Sequence, residues 1–280
     1  MAWETTEERS FTRASILAAL RKTIAEGKPV IGAGSSIGIV ARSAEAGGAD
    51  LIIVYSTGKT RIWGLPTTPL LHSNPVTLSM YDEIDNVVDH TPIIGGAHAG
   101  DPTYRRLPRL VGAFREKGFD GIINFPSAGV DPARAAMREH VGQGLRREAD
   151  MIRLAREQDY FTMSYSYTAE QARINAAAGV DVQVAHTGWT AGGDSGRSDA
   201  PSLERSADLV QEFIDITRRE NPECICLAHG GSIATPEDTI YLYEHSDAQG
   251  FVGASSIERI PIERAVKQTV ADFKNQKLRA

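Results

Sequence analysis

Cys224-Ile-Cys-Leu-Ala-His-Gly-Gly-Ser232 and Gly250-Phe-Val-Gly-Ala-Ser-Ser-Ile-Glu-Arg259 are two short apolar runs that each break off in small residues. A helix is expected after each, from Thr235 and from Pro261. As neighbouring strands, the two runs would set bare backbone N–H groups along one edge of a sheet. Glycine lets an anion approach the backbone, and a following helix N-terminus adds partial positive charge. The expected anion contacts here are Gly230, Gly231, Gly253 and Ala254, with Ser255 and Ser256.

Upstream of this pair the same unit recurs six times. Pro29–Gly34 reads as a strand before a helix over Ile37–Ala46. Asp50–Tyr55 precedes a long polar loop and a helix around Val76–Val88. Thr91–Ala97 leads to a helix over Thr103–Lys117, and Asp120–Phe125 to a loop and a helix over Leu145–Glu157. Tyr160–Tyr165 precedes a helix over Ala169–Ala178, and Val180–Ala185 a glycine-rich loop and a helix over Leu203–Arg219. Near-continuous apolar strands are what a parallel sheet covered by helices requires. The joints repeat as well: Gly48-Ala-Asp50, Gly118-Phe-Asp120 and Gly179-Val-Asp181 place a glycine at a helix end and an aspartate at the turn into a strand. These aspartates read as stability residues on the lower face.

Before the first strand, apolar residues at Phe11, Ala14, Ile16, Leu17, Leu20 and Ile24 keep helical spacing until Gly27. That helix would close the lower end of a barrel or serve an oligomer contact. The fold expected is α/β, a single (β/α)8 TIM barrel with an extra N-terminal helix. Residues 1–10 read as a flexible polar tail, 11–27 as the helix and 29–280 as the barrel. A doubly wound open sheet is the alternative.

The chain has 280 residues, 24% of them charged, and a net charge of −6. No basic excess or basic–aromatic tract points to nucleic acid. No apolar run approaches the ~18 residues of a membrane span, and the N-terminus lacks a signal segment, so a cytoplasmic protein is expected. Cys224 and Cys226 share one strand face at a spacing that suits neither a disulfide nor a zinc ribbon.

In such a barrel the strand C-terminal ends converge on one site, and the loops after strands 7 and 8 often bind phosphate. The residues gathered there are Gly32 and Gly34 of strand 1, Tyr55, Ser56 and Gly58 at the end of strand 2 with Arg61 just beyond, His98 after strand 3 and Asn124 of strand 4. Strand 5 adds Tyr165, strand 6 His186, strand 7 His229, and strand 8 Ser255, Ser256 and Arg259. His229, His186, Tyr165 and Glu148 are the acid/base candidates, Glu148 because it falls in the first turn of a helix near the upper rim. The same position also suits a charge favouring the helix dipole. His98, His186 and His229 are candidate ligands for a divalent metal, zinc or magnesium; the alternative is that each hydrogen-bonds a neighbour or the substrate. Gly32-x-Gly34-x-x-x-Gly38 has the wrong spacing for a dinucleotide loop, and no acidic residue ends strand 2. Gly188-Trp-Thr-Ala-Gly-Gly-Asp-Ser-Gly196 suits a lid over a substrate.

Gly32-Ala-Gly34, Ala46-Gly-Gly-Ala-Asp-Leu-Ile52, Tyr55-Ser-Thr-Gly58, Asn124-Phe-Pro126, Ala185-His-Thr-Gly188, His229-Gly-Gly231 and Gly253-Ala-Ser-Ser-Ile-Glu-Arg259 resemble the phosphoenolpyruvate hydrolase-like TIM-barrel family. The resemblance runs from about Pro29 to the end of the chain. It departs at Ser232, where a proline is expected, and at His98, where a cysteine is expected. The acidic magnesium-binding cluster of phosphoenolpyruvate mutases is not visible. The resemblance implies a barrel related to the mutase type and, loosely, a hydrolase or lyase acting on a small anionic 2-oxo acid or enol phosphate. His229 or His186 would transfer the proton, and Arg61 or Arg259 would pair with a carboxylate. Alternatives are a non-catalytic ligand-binding or protein-interaction module and a metal-dependent C–C bond hydrolase or aldolase. A small anionic metabolite and a homo-oligomer are the partners expected.

Overall fold

The computed structural model describes residues 9–70 and 72–279. Eight parallel strands close into a barrel in chain order: β1 (Val30–Gly34), β2 (Leu51–Val54), β3 (Ile93–Gly96), β4 (Gly121–Ile123), β5 (Phe161–Ser166), β6 (Val182–His186), β7 (Ile225–His229) and β8 (Gly250–Gly253). β8 pairs back onto β1, Val30 opposite Gly250 and Ala33 opposite Gly253. The helices are α1 (Arg13–Ala25), α2 (Gly38–Ala46), α3 (Ser56–Ile62), α4 (Ser73–Asp85), α5 (Leu107–Lys117), α6 (Pro132–His140), α7 (Leu145–Glu157), α8 (Ala169–Ala177), α9 (Leu203–Glu220), α10 (Pro236–His245) and α11 (Arg259–Lys274).

The local chemistry explains where these elements begin and end. Thr168 and Ser202 accept a backbone N–H at the starts of α8 and α9. Thr235 and Asp238 form a reciprocal box at the start of α10, with Pro236 just inside. Gly118 closes α5 at φ 113°, a conformation costly for any residue with a Cβ. Two helices were not anticipated. α3 follows β2 directly where a polar loop was expected, and α6 lies within the loop before α7. α4 begins at Ser73, ahead of the expected Val76.

The anticipated lower-face aspartates tie odd strands to even ones. Asp50 accepts the Ile31 N–H at 2.8 Å, Asp120 the Ile93 N–H at 2.8 Å and Asp181 the Thr162 N–H at 3.0 Å. Gln249, ahead of β8, completes the series by accepting the Cys226 N–H at 3.0 Å. The N-terminal segment closes this end of the barrel. Ile16 and Leu20 of α1 join the interior cluster of Val30, Leu51, Phe161, Val182 and Ile225. Arg13 pairs with Asp181 at 2.8 Å. Of the tail expected over residues 1–10, residues 1–8 lie outside the described residues. Arg9 is held, bonded to Asp85 at 2.6 Å and to Asp120 at 3.1 Å.

Candidate active site

At the opposite end the strand termini enclose a cavity of about 180 Å³. Its lining includes Tyr55, Arg61, Phe125, Tyr165, His186, Trp189, Arg197, His229, Ala254, Ser255 and Arg259. The alternation of a strand turns Tyr55 and Tyr165 toward the barrel axis, where their hydroxyls meet at 2.6 Å. Burial raises the pKa of both phenols, so they stay neutral donors and acceptors. Phe125 packs edge-on against Tyr55, with ring centroids 5.0 Å apart.

His186 and His229 end β6 and β7 opposite one another. His229 Nδ1 lies 2.6 Å from the carbonyl oxygen of Val252. A carbonyl only accepts, so this nitrogen carries the proton and Nε2 keeps a free lone pair. His186 Nδ1 accepts the N–H of Gly188 at 3.2 Å, which leaves the proton of neutral His186 on Nε2. Burial keeps both rings neutral: it pushes His229 down to about 4, and His186, which also faces His229, well below its ordinary value. Tyr165 lies 5.1 Å from each imidazole between centroids, and Tyr167 stacks on His186 at 4.2 Å.

The positive charge comes from side chains. Arg61 Nε donates to Glu258 Oε2 at 2.7 Å, in a pair whose side chains are 2% and 1% exposed. Its Nη2 has no hydrogen-bond partner among the described residues. Arg259 donates to Glu263 and to the Gly192 carbonyl, while its Nε has no partner among the described residues. An unpaired buried N–H costs about 1–3 kcal/mol, which an anion in the cavity would offset.

The loops differ from expectation. Part of the expected backbone ring at β7 is already used: Gly231 donates its N–H to the Gly188 carbonyl at 2.9 Å, and Thr187 Oγ1 donates to the Gly230 carbonyl at 3.0 Å. The left-handed Gly230 and Gly231 therefore fasten the loop after β7 to the loop after β6. Gly34 and Gly58 serve packing, since an added Cβ would come 2.8 Å from the Ala254 Cα and 1.4 Å from Ser36 Oγ respectively. Gly32 and Gly253 likewise face Ile53 and Ile257. Ser56 and Ser256 lie outside the cavity lining, and their hydroxyls have no partner among the described residues.

Glu148 is buried behind the wall rather than in the cavity. It accepts from Asn124 and Ser127 at 2.8 Å, from Gln171 at 3.2 Å and from the Ala128 N–H at 2.5 Å. Burial raises its pKa to about 7 against these four donors, which favour the anion. Asn124 relays the contact by accepting the Tyr165 N–H at 2.6 Å, so the two side chains position the tip of β5. The three-histidine metal set does not assemble. His98 lines a separate cavity with Ser73, Asp131 and Arg138. Among the described residues, no group of three His, Cys, Asp or Glu side chains could hold a metal ion.

The strand-end reading placed Tyr55 at the upper end of strand 2 without giving it a role, and missed Phe125 and Arg197 as lining residues. Both aromatics closed expected strands and drew less notice than the histidines. Arg197 lies beyond the glycine-rich loop, where spacing gives no direction. No helix among the described residues is long and apolar enough to cross a membrane.

The model of the family described as phosphoenolpyruvate hydrolase-like matches residues 15–276. The ToMV resistance protein Tm-1(GCR237) of Solanum lycopersicum is 38% identical over 269 residues, which cover 94% of this chain but 36% of that protein. Among solved structures, a phosphonopyruvate hydrolase in complex with oxalate and Mg++ aligns over 94% of this chain and 87% of its own, with a TM-score of 0.59 and 17% identity. The 2,3-dimethylmalate lyase of the PEP mutase/isocitrate lyase superfamily aligns over 96% and 87%, with a TM-score of 0.61 and 15% identity. At such identities the structures share a fold. The chain belongs to the phosphoenolpyruvate hydrolase-like family.

Proposed function

We propose that the cavity is the active site of a hydrolase or lyase acting on a small anionic 2-oxo acid or enol phosphate. The observation that carries this is the pair of neutral histidines with protons on opposite nitrogens, beside two buried arginines that each have an unpaired nitrogen. The anionic end of the substrate sits against Arg61 and Arg259. His229 Nε2 takes the proton, and His186 Nε2–H donates to the oxygen on which enolate charge develops. Donors already fixed before reaction cost no reorganisation as that charge appears. Tyr55 and Tyr165 form the neutral wall on which the reacting carbon rests, and the 188–196 loop separates the cavity from bulk solvent. The hydrolase and lyase named among the structures of the same fold support the reaction class.

One of those structures holds Mg++, and the residues here do not fit such an ion. Magnesium takes oxygen ligands, usually one or two carboxylates. Among the described residues no carboxylate lines this cavity, Glu258 is committed to Arg61, and the polar groups present are imidazole, hydroxyl and guanidinium. The acid/base steps are therefore assigned to the chain's own groups.

A panel of small 2-oxo acids and enol phosphates, followed by proton NMR in heavy water, tests the reading. Deuterium uptake or cleavage of one panel member is expected with the natural chain and not with His229→Gln. Absence of both across the panel, with ligands seen to bind, would favour a pocket that only binds.

A further inference from the structure

Phe125 lines the cavity assigned to the reaction, while the next two residues, Pro126 and Ser127, line another. This second cavity holds about 330 Å³, and among the described residues it shares no lining residue with the first. Sites for small molecules begin at about 300 Å³. Its walls come from the segment entering α4, the loop after β3, the loop after β4, and α6. Nothing in the reaction proposed above uses it.

The frame of this cavity is already tied down. Asn74, wholly buried in the first turn of α4, accepts the His98 N–H at 2.8 Å. It donates to the His98 carbonyl at 3.1 Å and to Asp101 at 2.9 Å. Two lining hydroxyls have spent their protons: Ser73 donates to the Leu70 carbonyl at 2.6 Å, and Ser127 to Glu148 at 2.8 Å. Neither can donate to a ligand as well. Two donors remain. The half-buried Arg138 guanidinium has no hydrogen bond or ion pair among the described residues. Neither ring nitrogen of His98 has a hydrogen-bond partner among them, and its Nδ1 is enclosed. Burial, with Arg138 adding to it, holds His98 below its ordinary pKa against the pull of Asp101. The ring is therefore neutral and has one N–H to give. Asp131, the carboxylate of the lining, is 40% exposed and pairs with Arg134 at 3.5 Å.

This inventory selects the ligand. A phosphate brings nearly two charges and at least three strong acceptor oxygens, and one guanidinium with one imidazole N–H would leave part of it bare. A carboxylate matches better, since a guanidinium gives it two parallel N–H bonds and the imidazole adds a third. The remaining wall, Pro69, Leu70, Pro126 and Val130, is apolar and suits a short hydrocarbon body. We propose that this cavity is a second ligand site that takes a monocarboxylate with a short apolar body, its carboxylate held by Arg138 and His98. The site stands whether or not the reaction assigned to the first cavity does.

The test is nitrogen-15 NMR of the intact histidine-labelled chain, with the His98 signals assigned by their loss in His98→Gln. Butanoate, isovalerate and hexanoate are the probes. At least one should shift the His98 ring nitrogens along a saturable curve. Arg138→Gln has no partner to lose, so it should melt as the natural chain does while binding that probe at least about tenfold more weakly. Acetate, which lacks the apolar body, should also bind at least about tenfold more weakly. Inorganic phosphate should leave the His98 signals in place. No shift at His98 with any of the three probes, or an equal curve in Arg138→Gln, would overturn the site. Acetate binding as tightly, or phosphate moving His98, would overturn the ligand class.

Discussion

His186 and His229, paired in register across β6 and β7, hold their ring centroids 4.6 Å apart and carry their protons on opposite nitrogens. The Val252 carbonyl sets one tautomer and the Gly188 N–H sets the other. A base and a hydrogen-bond donor thus face one cavity without either ring carrying charge. Two neighbouring imidazolium ions in this enclosed space would repel and pay a large desolvation cost.

His229→Gln keeps an N–H for the Val252 carbonyl and removes the basic nitrogen. Turnover of the true substrate should fall by about 10²–10⁴-fold, the usual worth of a general base. His186→Gln retains a donor and should cost less. Steady-state kinetics with thermal melting checks both; melting temperatures close to that of the natural protein exclude simple misfolding.

The Arg61–Glu258 pair is buried on both sides. Glu258→Gln leaves the guanidinium without its counter-charge and should destabilise the fold by about 3–5 kcal/mol in urea unfolding. The double change Arg61→Met with Glu258→Leu should restore most of that stability while abolishing anion binding. Equal losses in single and double variants would show that the charge pair is not the source.

Burial lowers His229 from 6.5 to about 4. Between those values the unfolded chain binds a proton there that the folded chain does not. The contribution is complete above pH 6.5 and is lost as pH falls toward 4, by about 3 kcal/mol in all. Glu148, raised from 4.5 to about 7, has the opposite sign. Its unfavourable contribution is full above pH 7 and disappears as pH falls to 4.5. Urea unfolding of the natural chain and His229→Gln across this range should show the natural chain losing more stability on acidification.

At the lower face, Asp181 accepts from the Thr162 backbone and hydroxyl and pairs with Arg13 and Arg156. Asp181→Ala removes all of these at once and should cost about 3 kcal/mol or more, with little change in KM. Arg13→Ala, at a more exposed position, should cost about 1 kcal/mol. Chemical denaturation beside steady-state kinetics separates the two effects.

The barrel was legible because its strands are nearly unbroken apolar runs such as Leu51–Val54, and because Gly-x-Asp marks three joints. Gln249 does the same work as those aspartates, but a glutamine before a strand carries no such signal. α3 was missed because its buried residues are Ser56, Thr57, Gly58, Thr60 and Arg61, with no apolar period. It is secured by Glu258, 197 residues away, which local pattern cannot show. Reading off the strand C-terminal ends brought out His186, His229 and Tyr165. It could not show that Glu148 turns into the wall, that His98 opens on another cavity, or that the Gly231 N–H is already spent on Gly188.

Nitrogen-15 NMR of histidine-labelled protein reads the proton on each ring nitrogen directly. The structure predicts protonated Nδ1 and bare Nε2 at His229, the reverse at His186, and both rings neutral at pH 7. The same tautomer at both positions, or a charged ring at that pH, would contradict the paired acid/base role.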